Sequence, residues 1–504
     1  MPKPPSLLSL LFLLIFILAA HSEPPPSLST VCIIGTGISG AFLSHFLRKY
    51  SPSQSPPLIN TIRIFDKNDV VGGRMSTVTI AGDTFEAGAS IIHPRNYHTS
   101  NFTHFLNLKK RFGNGDDDDD DSLGVWDGQR FVFKTMRLGS RFWFVNKLIS
   151  LVNQAKVFWR YGVSLFKMQA FVEDTLSKFL KYYEGHDTRP VFHRAEDMLK
   201  WSGLYDLTTR TLEEELVDAG LSPLLIKELV TVITRINYGQ STRMSGLAGG
   251  VSLAGSGGGL WAVEGGNWQM AAGLINGSDV ELHLNEEILS VSHVGTHYEL
   301  NSRKGNSYEC QVTVFATPLD ESDVKFDPPI SVPERKMQHT HTTFIKGLLN
   351  PAYFGLREVV DIPDLVGTLE DPNIPFSCVS VLKKHEDGEM TYKMFSRKPL
   401  DDTMLDQIFS LKKEIIRIDW AAYPHYHAPE VFAPFVLDDQ HLYYINAFES
   451  AASAMETGAV SAENIARLIL SRLSNNSAYI SSLSNTKTSV FGSGAGLTDL
   501  HSDL

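Results

Sequence analysis

The stretch Val31 to Gly40, VCIIGTGISG, limits the fold more than any other part of the chain. An apolar run passes directly into three glycines spaced Gly35-x-Gly37-x-x-Gly40. That order reads as a buried strand, a tight turn and the start of a helix. The first N–H groups of such a helix, here around Ile38, Ser39 and Gly40, have no partner within the helix and can hold a pyrophosphate. A second apolar run, IRIFD, ends in Asp66 with Lys67 beside it, where the acid would grip a ribose hydroxyl. The loop SPSQSPPLINT lengthens the usual interval between glycines and acid, at little cost in free energy.

Immediately after this acid, KNDVVGGRMST makes a second glycine turn, Gly72-Gly73, followed by Arg74. A guanidinium beside backbone amides suits the doubled charge of a dinucleotide. The stretch from Thr234, RINYGQSTRMSGLAGGVSLAGSGGGLWAVEGGNWQMAAGL, is rich in glycine, which lets main chain approach a flat cofactor closely. Near the C-terminus a strand over 442–447, the acid Glu449 and a helix from about Gly458 supply a further helix N-terminus.

A chain of 504 residues has room for two or more domains, or for one nucleotide-binding domain with a large insertion. Its formal charge of -12 speaks against nucleic-acid binding. Six of the acids form one run, GDDDDDDS, which reads as a solvated loop, since a calcium site needs spaced ligands. At the N-terminus Lys3 precedes SLLSLLFLLIFILAA and small polar residues, the pattern of a secretory signal over 1–22, with the mature chain from about Glu23. Sequons at Asn101, Asn276 and Asn475 are candidate glycan sites on that route. Of the three cysteines, Cys32 lies in the buried first strand, so no disulfide framework is expected, and no Cys/His cluster has metal spacing.

Residues 131–230 have helical spacing and many large aromatics, suited to amphipathic helices that cover a core, line an apolar tunnel or touch a membrane. Residues 321–434 read as mixed strands and loops without a compact catalytic motif. His339, His341, Thr342 and Lys346 there could face a cavity, but an isolated Lys or His is more often a surface or packing residue.

VVGGRMST and FEAGASIIHPRN are similar to successive blocks of the amine oxidase and carotene desaturase flavoproteins. Together with TRINYGQS, GGGLWAVEGGN and SAMETGAVSAEN, in that order, they resemble the prenylcysteine oxidase family, called farnesylcysteine lyase in plants. The resemblance implies an α/β fold: a Rossmann-like FAD-binding domain of the glutathione-reductase/amine-oxidase type with an inserted α+β substrate domain. It divides the chain into FAD-binding parts at 28–110, 234–320 and 435–474, substrate parts at 111–233 and 321–434, and a tail at 475–504. It makes Gly35, Gly37, Ile38, Ser39, Gly40, Asp66, Lys67, Gly72, Gly73 and Arg74 FAD-binding candidates, with Ile288 against the adenine and Glu449, Thr457 and Gly458 closing over the flavin.

The implied reaction takes S-farnesylcysteine, molecular oxygen and water to farnesal, cysteine and hydrogen peroxide, in a lysosome or vacuole. It needs no strong acid or base, because the carbon between sulfur and the double bond stabilises positive charge, so no catalytic residue is singled out. An apolar farnesyl pocket would draw on residues 126–185 and 344–380. Two rivals stand beside it. A flavin amine oxidase usually has an aromatic residue just before the late glycine, where this chain has Ala454-Met455-Glu456-Thr457; a secreted flavin or lipid carrier would show no turnover.

Overall fold

The computed structural model describes residues 29–51, 58–112, 122–137, 143–185 and 188–474. The signal-like segment, the aspartate run and the tail with Asn475 lie outside them. A parallel sheet of five strands carries the glycine turn, in the order Leu442–Tyr444, Val312–Phe315, Ser29–Ile34, Ile59–Phe65, Glu281–His283. Its central strands are buried on both faces, which is why Val31 to Ile34 and Val312 to Phe315 run apolar instead of alternating. The helix Ile38–Tyr50 packs against the helices Trp268–Asn276 and Met455–Ser474 through Phe42, Leu43, Phe46 and Leu47. Thus, among the described residues, the last helix closes over the first.

Two further sheets are interleaved with this one. Four strands, Ser307–Cys310, His297–Ser302, Ile288–Val294 and Lys325–Asp327, form a small excursion that returns to the central sheet. Seven strands form a broad second platform in the order Phe409–Pro424, Met337–Leu349, Met390–Ser396, Cys378–Lys384, Leu365–Thr368, Leu123–Trp126, Phe131–Lys134. A helical layer that includes Trp143–Tyr161, Ser164–Leu180, Thr231–Tyr238 and Gly246–Ala254 completes the inserted region. The buried Arg235 ties that layer to the platform by donating to Thr368 Oγ1 at 2.9 Å, Phe376 O at 3.2 Å and Glu370 Oε2 at 2.6 Å. The fold is the α/β arrangement with an α+β insertion expected from sequence.

Three sequence expectations change. Cys32 and Cys310 form a disulfide, with Cα atoms 5.8 Å apart. The four-stranded excursion delivers Cys310 to the flank of the first strand, so burial of Cys32 accompanies pairing and does not argue against it. Next, Phe131–Lys134 is an edge strand, and a helix begins only at Trp143. Asp127 Oδ1 accepts from the N–H groups of Gln129 and Arg130 at 2.9 and 2.8 Å, and this turn pairs Phe131–Lys134 with Leu123–Trp126. Finally, the late helix starts at Met455, three residues before Gly458.

The aromatics of 126–185 and 344–380 go two ways. Trp126 stacks on Phe376 with ring centroids 5.8 Å apart, and Phe354 closes on both, so these rings fill a core. Phe158, Trp159 and Phe166 point to solvent.

Candidate functional site

The turns at Gly35 to Gly40 and Gly72-Gly73 and the late Gly458 meet at the C-terminal edge of the parallel sheet, whereas Gly246, Gly249 and Gly250 pack within the helical layer. Gly35 has φ +118°, and a Cβ there would lie 2.8 Å from Ala316 O; a Cβ on Gly40 would lie 2.1 Å from Gly35 O. Neither position has room for a side chain. Gly37 differs: its φ is -65° and the nearest atom to a Cβ would be Gly72 O, at 4.0 Å. It is the N-cap of Ile38–Tyr50, with no side-chain cap and no acid in the first turn. The helix therefore presents bare N–H groups and an undiminished positive end beside open space.

The second glycine turn packs on the first. Gly72 pairs with Gly37 in an isolated bridge, Gly72 N–H donates to Thr36 O at 3.2 Å, and Gly73 abuts Gly37. From the other side, a Cβ on Gly458 would lie 2.7 Å from Ser39 Oγ, so the helix Met455–Ser474 begins against the helix Ile38–Tyr50. Thr457 braces that beginning: its Oγ1 accepts from Ala454 N–H at 2.9 Å.

Arg74 extends across this junction, donating to Ala422 O at 2.7 Å and pairing with Glu449 Oε1 at 2.6 Å. Glu449 is buried and also accepts from Asn446 Nδ2 at 3.0 Å and Ser453 Oγ at 2.8 Å. Burial alone would raise its pKa, but Arg74, Arg335 and Asn446 outweigh burial and hold the carboxyl below the usual carboxylate range. Arg335, which carries no sequence signal, lies 3.6 Å from Glu449 Oε2 and donates to Asp320 Oδ2 at 2.6 Å. Glu449→Ala would leave two guanidiniums facing each other, and it is expected to cost about 3–5 kcal/mol in denaturant unfolding.

Asp66 has a structural task. Its Oδ2 accepts from Thr36 N–H at 2.8 Å and Thr36 Oγ1 at 2.5 Å, and its Oδ1 accepts from Asn68 N–H and Nδ2, both at 2.9 Å. Those four bonds use its lone pairs to lock the glycine turn to the second strand, and a ribose hydroxyl would have to displace one of them. Lys67 lies exposed just beyond. Ile288 is buried near this end: Glu286 N–H, two residues earlier, donates to Asp66 O at 2.7 Å.

The block FEAGAS forms the wall between the two platforms. A Cβ on Gly88 would lie 2.0 Å from Arg74 O. Glu86 Oε1 accepts from Asn267 N–H at 2.6 Å, whereas the buried Oε2 has no partner among the described residues. Burial pushes this carboxyl up to about 7, against the pull of Asn267, Lys393 and Arg111. Across the wall stands Lys393, the only lysine buried among the described residues, donating to Glu86 O at 2.8 Å and brought down to about 8 by burial. No motif marked Lys393, because its burial depends on the pairing of Phe344 with Lys393 across the seven-stranded sheet.

The Glu86 shift has a pH consequence. A carboxyl with a raised folded pKa binds more protons folded than unfolded, so its favourable contribution is complete below about pH 4.5 and is lost as pH rises through about 7. Glu86→Gln is therefore expected to shrink the stability difference between about pH 5 and about pH 7.5 by on the order of 1–3 kcal/mol, read from denaturation at both pH values.

Three tyrosines missed in the sequence surround the late loop. Tyr238 lies edge-on to Tyr423 and Tyr426 at 4.9 and 5.3 Å, and donates to Ser453 O at 2.7 Å. Tyr426 hydroxyl accepts from Ser453 N–H at 2.6 Å. By contrast, His339 and His341 face Asp419 at 3.0 and 3.6 Å, and Lys346 faces Asp387 and Glu389, away from the glycine turns. Thr342 is buried in the same strand. Asn101 and Asn276 are exposed, although the hydroxyls of Thr103 and Ser278 in their sequons turn inward to Thr99 O and Leu274 O.

A family model for prenylcysteine lyase matches residues 144–482, and one for an NAD(P)-binding Rossmann-like domain matches 33–107. The chain is 61% identical over 446 residues to farnesylcysteine lyase of Arabidopsis thaliana, covering 88% of each chain. It belongs to the prenylcysteine lyase family. Human prenylcysteine oxidase 1 is 32% identical over 482 residues, 90% of each chain. Among solved structures, cyclohexylamine oxidase from Brevibacterium oxydans superposes with TM-score 0.57 at 16% identity, covering 89% of this chain and all of that one. Putrescine oxidase bound to putrescine gives TM-score 0.53 at 15%, covering 89% and 100%. The family match spans the helical layer, five of the seven platform strands and the helix Met455–Ser474, so most of the inserted region and the late loop belong to one family pattern.

Proposed function

We propose that the chain is an FAD-dependent thioether oxidase that cleaves S-farnesylcysteine. The observation that carries this reading is the uncapped helix at Gly37, enclosed by the Gly72 turn, Arg74 and the Gly458 helix, in a chain of this family. The residues fit FAD: Gly35, Gly37 and Gly40 with the N–H groups of Ile38 and Ser39 would hold the pyrophosphate, and Gly72, Gly73 and Arg74 would flank it. Asp66, Lys67 and Ile288 mark the adenosine end, and Glu449, Thr457 and Gly458 the opposite end. When bound, FAD would supply the two-electron oxidant.

The overall change breaks the C1–H and C1–S bonds of the farnesyl group, takes the aldehyde oxygen from water, and leaves cysteine thiol. Oxygen accepts the two electrons and two protons as hydrogen peroxide. The chain's part is to orient the thioether and exclude bulk water. Glu86 offers a buried carboxyl that keeps its proton below about pH 7, and Lys393 a buried amine beside it.

The N-terminal signal pattern and the Cys32–Cys310 disulfide support an oxidising secretory route, with a lysosome or vacuole as its end. Peripheral membrane contact, without a span, belongs to the same reading; no helix among the described residues is long and apolar enough to cross a bilayer.

The purified protein is expected to contain FAD and to release peroxide with farnesylcysteine but not with an amine control. Bound FAD with no peroxide from farnesylcysteine overturns the reading in favour of a carrier.

A further inference from the structure

The helix Met455–Ser474 begins against Ser39, and its beginning is open. Ala454, the residue before it, is exposed and has no side-chain oxygen to accept from the N–H groups of the first turn. Glu456 in that turn is spent elsewhere: its carboxylate accepts from the N–H groups of His98 and Thr99 at 2.7 and 3.0 Å. Two helix ends without a side-chain cap, at Gly37 and at Ala454, therefore meet at Ser39. A cap would compete with an anionic ligand for those N–H groups, so such an end is better fixed through the residue that precedes it.

Ser453 supplies that fixing point, because each of its polar groups is bonded. Its N–H donates to the Tyr426 hydroxyl at 2.6 Å, its Oγ donates to Glu449 Oε1 at 2.8 Å, and its carbonyl accepts from the Tyr238 hydroxyl at 2.7 Å. One peptide segment is thus gripped by two phenols.

Both tyrosines come from the inserted region. Tyr238 ends the helix Thr231–Tyr238, and Tyr426 follows the strand Phe409–Pro424. Their rings meet edge-on at 5.3 Å, and Gln240 ties their backbones together: Nε2 donates to Pro424 O at 2.9 Å and Oε1 accepts from Tyr426 N–H at 2.8 Å. Arg397 of the seven-stranded platform fixes the same corner by donating to Gly239 O at 2.6 Å. Burial holds both phenols well above their usual pKa, so the hydroxyls keep their protons at neutral pH. The grip is rigid, buried and neutral.

We infer that Tyr238 and Tyr426 are positioning residues for the cofactor: from the inserted region they fix the Ser453 peptide, and through it the open start of Met455–Ser474. The inference rests on the reading above for the place of FAD, and it adds that the inserted region helps to set FAD affinity.

The test is dilution of the purified FAD-containing protein, with released flavin followed by fluorescence and the bound flavin by its absorption band. Tyr238→Phe keeps the ring contacts and removes only the bond to Ser453 O. It is expected to raise the FAD dissociation constant about tenfold and to shift the flavin band, and Tyr426→Phe is expected to do the same. Because both act through one peptide segment, the double variant is expected to fall short of the product of the two effects. Tyr161→Phe is the control: it loses a bond to Glu228 at 3.0 Å inside the helical core, and should lower the melt while leaving FAD affinity unchanged. Unchanged FAD affinity and band in both single variants overturns the inference, as does equal weakening by Tyr161→Phe. The parent separates this from the reading above: a parent with FAD but no turnover removes the reaction alone, and variants that match a parent with full turnover remove the positioning role alone.

Discussion

Gly37→Asp is expected to give a protein that folds at least as well as the parent and retains no FAD. The backbone at Gly37 is already in a conformation open to any residue, and a Cβ there meets nothing closer than 4.0 Å. Aspartate is also among the preferred N-caps, so the helix Ile38–Tyr50 would gain roughly a few tenths of a kcal/mol over glycine. That same carboxylate would occupy the N–H groups and put a negative charge at the proposed pyrophosphate site. A drop in FAD affinity of about 100-fold or more follows if only about 3 kcal/mol of that contact is lost. Gly40→Ala makes the contrast, because its Cβ would lie 2.1 Å from Gly35 O and should impair folding itself. Flavin absorbance per protein and a thermal melt, measured on both variants, separate the two effects.

The second large effect is expected from Cys32→Ala/Cys310→Ala. The bridge closes a loop with a sequence separation of 278 and joins the central strand to the excursion that precedes Val312–Phe315. Loss of a crosslink over so long a loop gives the unfolded chain much more freedom, and removal typically costs about 2–5 kcal/mol, or roughly 2–5 °C in a melt for a chain of this size. Both cysteines are completely buried, so the alanines leave small voids that add to the loss. A reducing agent that lowers the parent's melt and leaves the double variant unchanged would confirm the bridge; equal melts for parent and variant would contradict it.

Local chemistry made the glycine turns of this chain legible. Gly35, Gly37 and Gly40 announce their turn within ten residues, and Gly72-Gly73-Arg74 follows the acid directly. What stayed hidden depends on contacts between distant segments. Cys310 reaches Cys32 only after the four-stranded excursion has formed, and Arg335 reaches Glu449 from a stretch with no motif at all. Asp66 was legible as an acid at a strand end; its four bonds to Thr36 and Asn68 were not. The Phe131 strand was misread because aromatic spacing suited a helix, whereas the Asp127 turn had already committed the chain to a hairpin. The outward stripe of Leu148 to Trp159 shows the limit of periodicity: it reveals that a helix has an apolar face and leaves open which way that face points.

The most direct test of the central claim is anaerobic addition of farnesylcysteine to the purified yellow protein, with the flavin band and free thiol followed together. The account predicts bleaching of the band with release of one cysteine thiol per flavin, and return of the colour on admitting oxygen. A flavin that stays yellow while farnesylcysteine is bound, with no thiol released, would contradict it.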